Sequence, residues 1–279
     1  MKAIQTDAEE HKLSVVQSVI LDNFRIIKDI LEEEGIKYYM LGGTLLGAVR
    51  HQGFIPWDDD IDIGIEREDY ERLLVTVAER LPDYLELQTF KNQTAHHYYF
   101  SRIVDRRHAV KRNGSLLERE ENVWIDIFPL DGMPDNVILR KIHMARLLWV
   151  RTRYHISCFE QVNLKRPNRP LSEKVIIKFV ELTGWGRNGD TKKLLEKLDT
   201  LLKEYSIEKT GWIINFMGQY KFKEMFLKKY YGKGKLYPFE DLMLWGPVDA
   251  DFVLKQMYGN YMRIPDDAEK NVHAAQLIE

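Results

Sequence analysis

The sequence predicts an α+β fold, with a mixed α/β part over residues 1–133 and a mainly helical part over residues 134–279. Three observations predict it. Apolar residues recur at steps of three and four before residue 35, they alternate strictly at 61–65 and 123–127, and helical periodicity dominates after residue 135. A chain of 279 residues is long enough for one large domain or two modest ones around a buried core.

Taken in order, residues 9–34 read as a helix, because Leu13, Val16, Ile20, Phe24, Ile27 and Leu31 share one face and Gly35 supplies a stop. A strand, Lys37 to Leu41, follows. Gly42-Gly43-Thr44 then breaks the pattern and opens a short helix, Leu45 to Arg50, which ends in an acidic loop around Gly53 and Pro56. A second strand begins near Asp60: Ile61, Ile63 and Ile65 face the core, so Asp60 and Asp62 project from the opposite face. A helix at about 67–81 and strands near 84–89 and 97–104 come next. In the stretch Val123 to Phe128, Val123, Ile125 and Ile127 share one face, and Trp124, Asp126 and Phe128 share the other. Helices near 135–159, 172–184, 190–205 and 249–258 complete the chain, with a Pro/Asn/Arg-rich break at 166–170.

Composition narrows the function classes. Lys plus Arg number 41 against 43 Asp plus Glu, so no global positive field draws the protein onto nucleic acid. The lone cysteine, Cys158, excludes an intramolecular disulfide, and no Cys/His cluster has zinc spacing; a reducing, cytoplasmic setting is expected. Residues 1–10 lack the layout of a signal peptide, and no segment reaches the roughly 18 apolar residues of a membrane span. The stretch Arg140 to Arg153 sets five cations among Leu147, Leu148, Trp149 and Val150. It reads either as a core helix with solvated arginines or as a helix making peripheral contact with the inner face of a membrane.

Two carboxylates two residues apart on one strand face, with a third on another strand, suit a hard divalent cation, and Mg²⁺ is usually held by few carboxylates plus substrate phosphate. That is the chemistry of phosphoryl transfer. The Gly42-Gly43-Thr44 turn suits the other end of a nucleotide, since glycine admits close backbone approach and a helix start offers N–H groups to phosphate. Arg50, and Arg102 on the strand 98–104, could steady phosphate charge. An EF-hand fails on register: with Asp58, Asp60 and Asp62 as first ligands, Ile63 falls where glycine is needed and Asp69 where glutamate is needed.

The stretch LGGTLLGAVRHQGFIPWDDDIDIG, Leu41 to Gly64, closely resembles the signature of the LicD family, phosphocholine transferases of bacterial surface glycans. That family is related to the fukutin group and similar to the nucleotidyltransferase superfamily of DNA polymerase β. The resemblance continues in VWIDIFPLDG, Val123 to Gly132, and in YGNYMRIP, Tyr258 to Pro265. It implies a nucleotidyltransferase-like mixed-sheet core in which Asp60 and Asp62 are ligands of Mg²⁺ or Mn²⁺. Asp126 would be the third acid, as metal ligand or general base, and Gly42, Gly43 and Thr44 the phosphate turn. It further implies a CDP-linked donor, typically CDP-choline, and transfer to a sugar hydroxyl; a lipid-linked glycan acceptor would suit the membrane reading of 140–153, and residues 134–279 are expected to complete the same catalytic unit. Many relatives end in a basic segment with paired histidines, whereas Asp266, Asp267 and Glu269 precede a single His273 here.

A transferred choline would need an aromatic enclosure, since a quaternary ammonium attracts ring faces and donates no hydrogen bond. Trp124, Phe128, Tyr98 and Tyr99 are the candidates near Asp126. Rival functions are transfer of another phospho-alcohol, transfer of a nucleoside monophosphate, and a silent nucleotide- or glycan-binding module.

Overall fold

The computed structural model describes residues 13–93, 98–112, 120–159, 171–266 and 275–277. Helix α1, Val15–Glu33, begins at a reciprocal cap: the Ser14 hydroxyl accepts from the Gln17 amide at 3.1 Å, and the Gln17 side chain accepts from the Ser14 amide at 2.9 Å. Its buried face includes Val16, Ile20, Phe24, Ile27 and Leu31, as the periodicity predicts. Gly35, at φ +61°, ends it in the left-handed conformation that glycine adopts without strain.

Strand β1, Tyr38–Met40, leads into α2, Gly42–Arg50. After the acidic loop come β2, Asp62–Glu66, and α3, Arg67–Thr76. Strands β3, Leu85–Gln88, β4, Ser101–Arg112, and β5, Glu120–Met133, follow, then the helices α4, Val137–Ser157, α5, Leu171–Thr183, and α6, Thr191–Leu202. The remaining elements are β6, Trp212–Ile214, β7, Met225–Leu227, α7, Lys228–Tyr231, β8, Lys235–Phe239, β9, Leu242–Gly246, α8, Ala250–Tyr258, and β10, Ala275–Leu277.

The sheet is mixed, in the order β1-β2-β5-β4-β10, with β3 pairing β4. β2 and β5 run parallel, with Asp62 opposite Asp126 and Ile63 opposite Ile127; the other pairings are antiparallel. At its far end β5 pairs β6, which pairs β7, so one long strand serves both parts of the chain. The hairpin β8–β9 stands apart as a second sheet. Among the described residues, the part after residue 133 therefore carries five strands and is less helical than its periodicity suggests. Its four longer helices do form, close to the expected limits.

Two cores result. The larger lies around α1, β1, β2 and β5, where Ile61, Ile63, Ile65, Ile125 and Ile127 are all essentially inaccessible to solvent. The second packs Leu147, Val150 and Tyr154 of α4 and Leu195, Leu198 and Leu202 of α6 against Met133 and Ile214. A buried charge network pins the two together. Arg67 donates to both oxygens of Asp131 at 2.7 and 2.8 Å, to Asp199 at 3.2 Å and to the Tyr99 hydroxyl at 2.7 Å. The stretches 1–10 and 166–170, and Asp267, Glu269 and His273, lie outside the described residues.

Candidate functional site

The first strand, the second strand and the long strand meet at the site because their backbones are tied at short range. The Leu41 amide donates to the Asp62 carbonyl at 3.0 Å, the Asp62 amide to the Thr44 hydroxyl at 2.8 Å, and the Asp126 amide to the Ile61 carbonyl at 3.0 Å. The acidic loop is held from behind by α1: Gln17 Nε2 donates to the Asp58 carbonyl at 2.7 Å. Gly42 opens α2 at φ +49°, and a methyl group there would stand 3.5 Å from Asp62 Oδ2. At Gly43 a methyl would meet Asp58 Oδ2 at 2.4 Å. The start of α2 thus lies directly against two carboxylates; a side chain at Gly43 would displace Asp58, and one at Gly42 is disfavoured by the left-handed backbone.

These residues face a cavity of about 350 Å³. Gly42, Gly43, Asp58, Asp60, Asp62, Asp126 and Arg102 line it on the sheet side, and Asn215, Met217, Gly218, Gln219, Tyr220 and Glu224 line it from the second part of the chain. Trp57, Phe100, Phe128 and Tyr258 add aromatic surface. Burial, then the charges of Asp60, Asp126, Asp58 and Glu224, push the Asp62 carboxyl well above the usual carboxylate range. Glu224 is 5% exposed, and its burial pushes its carboxyl up to about 7.

Asp126 is engaged by both oxygens: Arg102 Nε donates to one at 2.7 Å and Trp124 Nε1 to the other at 3.3 Å. The Arg102 guanidinium lies 4.0 Å from the Tyr98 ring centroid and 4.5 Å from that of Trp124. Tyr98 and Trp124 therefore already cover a cation, and neither lines the cavity. Phe128 does line it, tilted against Phe100 at 4.4 Å between centroids. Tyr99 turns the other way, into the second core, where its hydroxyl meets Arg67 and donates to Asp199 at 2.9 Å. It is not part of this site.

Two expected phosphate groups also point elsewhere. Thr44 is buried with its hydroxyl on the Asp62 amide, so what it orients is β2. Arg50 donates to the Tyr261 carbonyl at 2.8 Å and is not among the lining residues. Missing from the sequence reading are Asp58, Trp57, Phe100, Tyr258 and the whole 215–224 wall. Asp58 and Trp57 stood inside the quoted signature, and YGNYMRIP begins at Tyr258, but no signal in the sequence marked Asn215 or Glu224. That wall is built by side chains. Glu224 accepts from Asn215 Nδ2 at 2.8 Å and from the Tyr220 amide at 2.9 Å, and buried Arg151 donates to the carbonyls of Phe216 and Gly218.

Among the described residues no three Asp, Glu, His or Cys side chains form a ready metal cage. The donor chemistry nonetheless suits a hard cation. Carboxylates crowded at Asp62 are relieved by positive charge, and Mg²⁺ commonly takes only one or two protein carboxylates beside substrate phosphate.

Residues 35–168 match the model of the LicD/FKTN/FKRP nucleotidyltransferase domain. Over 265 residues, 92% of each chain, the protein is 25% identical to the lipopolysaccharide cholinephosphotransferase LicD of Haemophilus influenzae. It is 51% identical to the human ribitol 5-phosphate transferase FKRP over 45 residues, which are 16% of this chain and 9% of that one. An uncharacterized protein of Rickettsia typhi is 46% identical over 67 residues, 23% of this chain and 22% of the other.

Proposed function

We propose, on the premise that residues 35–168 of this chain belong to the LicD family of nucleotidyltransferase domains, that it transfers phosphocholine from CDP-choline to a sugar hydroxyl of a bacterial cell-surface glycan precursor, releasing CMP. The observation that carries this reading is the crowding of Asp58, Asp60, Asp126 and Glu224 about Asp62, in a cavity that also contains the glycine start of α2. Such a site suits a substrate rich in phosphate charge that arrives with a cation.

Asp60 and Asp62 would hold Mg²⁺ or Mn²⁺, which supplies neutralisation of the pyrophosphate when bound. Gly42 and Gly43 admit the phosphates to the first amides of α2. Arg102, aimed by Asp126, Tyr98 and Trp124, meets phosphate charge from the sheet. The acceptor hydroxyl oxygen bonds to the phosphorus that bears choline, the bridging oxygen leaves with CMP, and the hydroxyl proton departs. Asp126 either takes that proton or completes the cation site. For the quaternary ammonium, the lining rings Phe100, Phe128, Trp57, Tyr220 and Tyr258 replace the earlier candidates Tyr98, Tyr99 and Trp124.

The likeness to a ribitol 5-phosphate transferase favours a second reading, in which another phospho-alcohol is transferred. The test is CMP release from CDP-choline, CDP-ribitol and other CDP-linked donors with Mg²⁺ or with EDTA, with cell-envelope glycan precursors supplied as acceptor. Metal-dependent release from CDP-choline supports the first reading, and release from CDP-ribitol alone supports the second. A product carrying a nucleoside monophosphate, or no release at all, overturns both.

A further inference from the structure

The faces of α4 and α5 turned away from the protein carry large apolar side chains. On α4, Ile138 is 70% and Trp149 57% exposed, with Ile142 and Ala145 between them, so positions 138, 142, 145 and 149 form one solvent-facing stripe at helical spacing. The opposite face of the same helix, Leu147, Val150 and Tyr154, is buried in the second core. On α5, Leu171 is 79% and Leu182 78% exposed, and Val175 lies on the line between them; inward it is anchored by Val180 against Ile156 and Phe159. Contiguous exposed apolar side chains mark an interaction surface.

Charge identifies the partner. Helix α4 has no Asp or Glu over 21 residues; of its five Lys and Arg, Arg151 is buried, Arg146 pairs with Glu204 and Arg140 donates to the Pro134 carbonyl, while Lys141 and Arg153 are exposed. Exposed Lys141 and Arg153 flank its apolar stripe on either side, and Lys178 lies on the stripe of α5. An apolar line edged by basic side chains is the pattern of a helix lying in the plane of an anionic membrane surface.

We propose that α4 and α5 dock this protein onto a bilayer surface rich in anionic lipid, with Ile138, Ile142, Trp149 and Leu182 entering the headgroup region. This stands on the surface itself and not on the reaction proposed above. It has a bearing on the site, because Glu173 of α5 pairs at 3.0 Å with Lys221, next to Tyr220 in the cavity wall.

The test is co-sedimentation of the full chain with vesicles of phosphatidylcholine alone and of phosphatidylcholine with phosphatidylglycerol, with size-exclusion chromatography alongside. Binding to the anionic vesicles is expected, falling as salt rises. Lys141→Gln with Arg153→Gln should weaken it about 30-fold, since each basic side chain at an anionic surface contributes close to a factor of five. Ile142→Ser with Trp149→Ser should weaken it comparably while leaving the circular dichroism unchanged, because both side chains face solvent. No sedimentation with either vesicle overturns the proposal, as does binding indifferent to all four substitutions. A dimer in solution that the serine pair dissociates, without lipid binding, would assign the face to a second copy of the chain instead.

Discussion

Glu224 offers a perturbation whose size follows from the structure. Its carboxyl is buried at the inner wall of the cavity, where it accepts from Asn215 and from the Tyr220 amide, and burial moves it from an ordinary 4.5 up to about 7. The folded protein thus holds this proton more tightly than the unfolded chain does. The stabilisation is fully present below pH 4.5, shrinks as pH rises, and is gone above about 7. At roughly 1.4 kcal/mol per pH unit, the interval corresponds to about 3 kcal/mol. Glu224→Gln keeps the shape and lacks the titration. Urea unfolding of both proteins, followed by tryptophan fluorescence from pH 4 to pH 8, should show wild-type stability falling against the variant by about that amount, mostly between pH 4.5 and 7. Parallel curves across the range would show that Glu224 titrates normally, and the reasoning from its burial would be wrong.

Three further outcomes are expected. Asp62→Asn and Asp60→Asn should each bring CMP release to background, while Asp62→Asn raises the melting temperature, because it removes a charge held among like charges; a marked fall in melting temperature would contradict this. Gly43→Ala, whose methyl would meet Asp58 Oδ2 at 2.4 Å, should lower kcat/KM by about 100-fold with little change in melting temperature. Arg67→Met should cost about 3–5 kcal/mol in urea unfolding, since it strands Asp131 in the interior, and Arg67→Met with Asp131→Leu should recover much of the loss.

Where a pattern is local and repeated, the sequence was readable. The alternations at Ile61–Ile65 and Val123–Ile127 gave two strands, the faces of both, and the shared face of Asp62 and Asp126, which the parallel register then set side by side. Helices α4, α5, α6 and α8 were located to within a few positions. Strands β6 and β7 escaped because three residues, WII and MFL, are too few to show a period. Arg50 was misplaced for a different reason: membership of a dense motif says nothing about where a long side chain points, and carbonyls of 261 and 263 take its guanidinium. Tyr98 and Tyr99 were grouped as neighbours, yet the first stacks on Arg102 and the second enters the other core. Asn215 and Glu224 reach the site through contacts between distant parts of the chain, the pairing of β6 with the end of β5 and the hold of Arg151 on 216 and 218.

The strand β10 has a consequence for synthesis. Its residues 275–277 pair with 110–112 of β4, so the outer edge of a strand made early waits for a partner made more than 160 residues later. On a ribosome that interval is many seconds, during which β4 presents unpaired backbone groups on an open edge. An open edge of this kind is where one nascent chain pairs with another, and the closing strand removes it.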